Sequence, residues 1–95
     1  MVEQKVSVHV IVQGQVQGVG FRDFVSYHAE LLGLTRWVKN LGDGNTVELV
    51  AEGSRRALEE LIRRIREGPP RAIVERIDAQ WAEQTGRHRD FTVAL

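Results

Sequence analysis

The chain has 95 residues, 42% hydrophobic and 27% charged, enough for one compact domain spanning 1–95 and too few for two. It has no cysteine, which excludes disulfides and thiol catalysis, and no run near the ~18–20 apolar residues of a membrane span. Thirteen basic side chains balance 13 acidic ones, without the cationic excess of a nucleic-acid-binding domain, so any bound anion is expected to be small and held locally.

The opening MVEQKVSVHVIV alternates and lacks the features of a signal peptide, so a cytoplasmic location is expected. Val6, Val8, Val10 and Val12 fall on one face of Lys5 to Gln13, the period-two pattern of a half-buried strand. A glycine-rich stretch runs from Gly14 to Gly20. Phe21, Phe24, Val25, His28, Leu31 and Leu32 then recur at helical spacing, with Gly33 placed for a left-handed stop. Thr35–Leu41 and Thr46–Glu52 read as strands joined by the turn residues Gly42-Asp43-Gly44-Asn45. Ser54 is placed to cap a second helix with the stripe Leu58, Leu61, Ile62 and Ile65, and Gly68-Pro69-Pro70 ends it. Its outer face carries Arg/Glu pairs four apart, read as a solvated surface. Ile73–Ala82 reads as a strand with apolar residues on both faces, and Asp90–Leu95 as a short final one.

This order, β-α-β-β-α-β with a terminal β extension, predicts an α+β ferredoxin-like sandwich: a mostly antiparallel sheet with both helices on one face. The fold alone does not name a function.

The stretch GQVQGVGFR, residues 14 to 22, carries more information. Three glycines allow a tight turn with N–H groups pointing inward, and the loop opens a helix whose first amides lack partners. No Ser, Thr, Asp or Asn lies there to cap them. Arg22 falls in the first helical turn, where its planar fork can grip two phosphate oxygens. The plainer alternative is a chain reversal with Arg22 in a surface salt bridge. The Lys-Ser/Thr of a Walker loop is absent, and Gly18-Val19-Gly20 is not completed by a later glycine. In the second stretch, TRWVKNLGDG, Asn40 lies near a strand end. It can orient a water molecule without ionising, or it can serve the turn.

Together these stretches resemble the two signatures of the acylphosphatase family. GQVQGVGFR, preceded by Val12, matches the first; Trp37-Val38-Lys39-Asn40 and, with a shift, Gly44, Val47 and Gly53 match the second. Length, element order and the Gly68-Pro69-Pro70 bend agree across nearly the whole chain. The resemblance implies that Arg22 binds a phosphoryl group, that the amides of Gln15, Val16, Gln17, Gly18, Val19 and Gly20 cradle its oxygens, and that Asn40 positions the attacking water. Two features depart from the family. Arg36 stands where glycine usually precedes the aromatic residue, and the hairpin is one residue longer, with Asn45 or Thr46 as the extra. Both bear on the entry to the second strand and the hairpin's shape.

Such sparse machinery suits an acyl phosphate. Its phosphoryl transfer needs charge stabilisation and positioning, and its carboxylate leaving group, with a conjugate-acid pKa of about 4, departs without a proton. A phosphate monoester would need an acid or a metal. His9, His28 and His88 have no metal-ligand spacing, so no metal or cofactor is expected. His28 reads as a core-edge residue, and Trp37 and Trp81 as packing residues. The expected partners are a small acyl phosphate and inorganic phosphate, with no nucleic acid, no membrane and a monomeric state. A non-catalytic phosphate-binding module of the same family is the alternative. An RNA-binding domain of this fold would stack bases on aromatics of its central strands, and Lys5–Gln13 and Thr46–Glu52 carry none.

Overall fold

The computed structural model describes residues 4–84, 86 and 88–94. The elements are β1 (Lys5–Gln15), α1 (Phe21–Leu31), β2 (Thr35–Asn40), β3 (Thr46–Ser54), α2 (Arg55–Glu67), β4 (Ile73–Glu83) and β5 (Phe91–Val93). They form one sheet in the order β4-β1-β3-β2-β5. β1 pairs antiparallel with β3 and β4, β2 and β3 form a hairpin, and β5 lies parallel to β2. Each helix therefore links two strands separated by one intervening strand, the split β-α-β of a ferredoxin-like sandwich.

The alternation read in β1 places Val8, Val10 and Val12 in the core, where they meet Leu49 and Ala51 of β3 and the buried stripes of both helices. In α2 that stripe is Leu58, Leu61 and Ile65, and the Ser54 side chain accepts the Ala57 N–H at 3.1 Å. Removing such a cap costs ~1 kcal/mol. α1 ends in a Schellman motif: Gly33, at φ 72°, donates to the Glu30 carbonyl, and the Leu34 N–H reaches that of Ala29. Leu31, expected in the apolar stripe, is 61% exposed, and Ala29 takes the buried place. Leu31 sits about 120° round the helix from Val25, outside the face α1 turns to the sheet.

Two strand details differ from expectation. β1 continues through Gly14 to Gln15, and its register with β4 shifts between Gln13 and Gly14. This bulge puts both Val74 and Ile77 against the core, which explains a β4 sequence apolar on both parities. Gly14 is obligatory there, because at φ 139° a Cβ would lie 2.1 Å from the Ile73 carbonyl oxygen. The other detail is Arg36, which has a φ of 103°. Its register partner is Ala51, a core residue, yet its Nη1 donates to Oε2 of Glu52 at 3.0 Å. The Glu52 side chain is fully buried, and His88 Nε2 stands 4.0 Å from its other oxygen.

Candidate active site

The site begins where β1 ends. Gly18 and Gly20 adopt left-handed φ values of 74° and 78°, while Val19 between them does not. Such alternation turns successive N–H groups toward one side, the backbone form of an anion-binding nest. A Cβ at either glycine would meet nothing within 4 Å, so the glycines serve the backbone angle and not close packing. Gly20 is the N-cap of α1 and no side chain caps that helix, so its opening amides and the positive end of its dipole face outward.

These features converge on a hollow of about 230 Å³ lined by Val16, Gly18, Gly20, Phe21, Arg22, Asp23 and Asn40. This is smaller than the ~300–1,000 Å³ typical for drug-sized ligands and suits a phosphoryl group with a small substituent. Val16 and Phe21, each 1% exposed, make its floor. Arg22 and Asn40, 18 positions apart and on different elements, line the same space. A larger hollow of about 670 Å³ lies over α2, among Leu32, Ser54, Ala57 and the helix's Arg and Glu side chains. It presents Arg63 and Glu60, already paired with each other at 2.6 Å, and no loop amides. The chemistry points to the smaller one.

Two tethers hold the site together. Gln17 Nε2 donates to the carbonyls of Leu41 and Thr46, both at 2.8 Å, strapping the loop to the hairpin beside Asn40. Arg22 Nη1 donates to the Ala94 carbonyl at 3.3 Å, and the Ala94 N–H donates to Val38 at 2.8 Å. Among the described residues, that leaves four of the five guanidinium N–H donors without a partner. Asn40 is the last residue of β2, and its buried Oδ1 has no hydrogen-bond partner among the described residues. An unmatched buried acceptor costs ~1–3 kcal/mol, a cost retained where a group is held for something other than packing.

Gln15 is the residue of the sequence-read cradle that lies elsewhere. It ends β1 opposite Ile73 and lines a separate hollow with Gln13, Gly14, Asn45, Glu75 and Arg76. Gln17 and Val19 belong to the loop without lining the hollow, and Gln17 acts through its strap. Sequence reasoning missed Asp23, on the rim, and Ala94, which orients Arg22. The acid directly after Arg22 was a readable signal; the Ala94 carbonyl, 72 positions away, was not. His28 stands apart from the hollow, its ring tilted against Phe24 at 4.4 Å and 3.0 Å from Arg64. Burial first, and Arg64 second, hold its pKa below the usual histidine value. Trp81 packs on the core under Arg55.

The family model for acylphosphatase matches residues 8–93. The chain belongs to the acylphosphatase family. A relative from Dehalococcoides mccartyi, an acylphosphatase, is 45% identical over 86 residues, covering 90% of this chain and 94% of the relative. The crystal structure of an acylphosphatase from Bacillus subtilis superimposes with a TM-score of 0.91 at 37% identity, covering 95% of this chain and 99% of that one. One from Coxiella burnetii gives 0.89 at 42% identity, covering 96% and 94%. Membership in this family makes the chain an enzyme, a hydrolase.

Proposed function

We propose that this chain hydrolyses the carboxyl–phosphate anhydride bond of small acyl phosphates, releasing a carboxylate and inorganic phosphate. The observation that carries the reading is the convergence of Arg22, the left-handed glycine loop and Asn40 on one small hollow at an uncapped helix start. In this reading the phosphoryl oxygens lie on loop amides between Val16 and Gly20 and on the free side of the Arg22 guanidinium. Asn40, with both an acceptor and donors, holds a water in line with the bond to be broken. The water oxygen bonds to phosphorus as the acyl oxygen departs with the bonding pair. That oxygen becomes a carboxylate and needs no proton; the proton released from the water goes to solvent or a phosphate oxygen. The loop and Arg22 supply the charge stabilisation that a loose transition state requires.

The same reading makes residues 1–95 a single acylphosphatase-like domain that works as a cytoplasmic monomer without metal or cofactor. The test is turnover in excess chelator. Acetyl and benzoyl phosphate are expected to be cleaved while p-nitrophenyl phosphate, whose leaving group is poorer, is barely touched. Equal rates on both classes, or complete dependence on added metal, would refute the mechanism.

A further inference from the structure

Among the described residues, Asp23 is the one acidic side chain that lines the hollow, immediately beside the cation that the proposed reaction needs. An anion-binding site gains nothing from a carboxylate on its wall, and no hydrogen bond or ion pair to another described residue accounts for this one. It sits in the first turn of α1, where an acid is favoured by the helix dipole. That favour explains an acid in the turn but not its effect on whatever enters the hollow.

The layout fixes where such an effect falls. The floor is buried Val16 and Phe21, while Gly18, Gly20 and Asp23 are exposed and make the rim. A phosphoryl group seated on the loop and Arg22 must direct its acyl substituent outward, past this rim. We infer that Asp23 is a specificity-determining residue that disfavours acyl groups carrying negative charge and so directs the enzyme toward neutral acyl phosphates. This rests on the proposed hydrolysis. At separations of roughly 6–8 Å and an effective dielectric of about 40–80, suited to an exposed rim, one such like-charge pair amounts to about three- to tenfold in kcat/KM. The effect is screened by salt, with a Debye length of about 10 Å at 0.1 M and 3 Å at 1 M.

The experiment compares benzoyl phosphate with 4-carboxybenzoyl phosphate, which carries the added charge on a rigid ring. The ratio of their kcat/KM values is measured for the wild type, Asp23→Asn and Asp23→Lys, at low salt and at 1 M salt. Both substrates carry the same phosphoryl group, so changes in phosphate binding cancel in the ratio, as does any loss of helix stability. The wild type is expected to favour the neutral substrate. Asp23→Asn is expected to shrink that preference three- to tenfold, Asp23→Lys to shrink it further, and 1 M salt to bring all three proteins together. A ratio common to all three at low salt would overturn the role of Asp23 while leaving the hydrolysis standing. Failure of the wild type to cleave either substrate would remove the proposed function, and this inference with it.

Discussion

Arg36 offers a test in which two opposing terms can be weighed. Its φ of 103° lies where side chains other than glycine rarely go, a strain of order 1–3 kcal/mol, so Arg36→Gly should relieve about 2. The same change removes one partner of a fully buried carboxylate. Breaking a buried ion pair costs ~3–5 kcal/mol, and the lower end applies because Arg36 is 21% exposed. Glycine also loosens the unfolded chain, adding roughly 0.7 kcal/mol to the loss. The net expectation is a destabilisation of about 2 kcal/mol, or about 8–16 °C in Tm for a domain of this size. Thermal melts followed by circular dichroism would measure it, with Glu52→Gln alone and in combination completing a double-mutant cycle. Glu52→Gln should cost more beside Arg36 than beside glycine. An Arg36→Gly protein that melts above the wild type, or a cycle with no coupling, would show that the ion pair does not offset the backbone strain.

Arg22→Ala should cut turnover on the order of a thousandfold, and Arg22→Lys should recover little of it, since an ammonium lacks the fork; wild-type kinetics in a folded lysine variant would contradict the two-pronged grip. Asn40→Ala should lower kcat roughly a hundred- to a thousandfold while leaving the inhibition constant of inorganic phosphate nearly unchanged. Asn40→Asp should do no better, and a faster Asp variant would mean that a base was wanted. His28 is held below its unfolded value of about 6.5, so the stability tied to its neutral form is complete above that pH and is lost as pH falls through the lowered folded value. Tm should therefore drop between pH 7.5 and 5, less steeply in His28→Gln; equal slopes would exonerate His28. Gly14→Ala should cost at least about 2 kcal/mol by urea unfolding, because backbone surrounds the new Cβ and φ is 139°; an unchanged midpoint would contradict the tightness of the bulge.

Much of the fold is legible in local pattern because the forces that set it are local. Alternating valines specify a strand, and Ser54 and Gly68 bracket a helix, whatever the rest of the chain does. Misreadings arise where a residue serves two demands. Gly14 looks like the start of a loop, but its glycine character serves a bulge inside the strand. Leu31 fits a helical period, yet only the docking angle of α1 decides which edge of the stripe meets the sheet. Of the candidate site, residue types were readable and their convergence was not. Nothing near Arg22 announces the Ala94 carbonyl, and nothing near Gln17 announces the two carbonyls it spans, since both contacts form only when distant segments meet. Arg36 was visible as a departure from the family, but its buried partner Glu52 was not.

The Arg22–Ala94 tether ties the Arg22 guanidinium to the residue directly after β5, a three-residue strand at the sheet's margin whose Phe91 is 4% exposed. Short marginal strands open at a lower free energy than the sheet interior, in excursions that leave the rest of the molecule folded. Each such excursion releases the guanidinium from its bearing without melting β1 or either helix. Heat should then silence the enzyme in two stages, with catalysis fading reversibly while the far-ultraviolet spectrum is still native. On the proposed role of Arg22, activity should therefore fade at temperatures below the cooperative melt of the core.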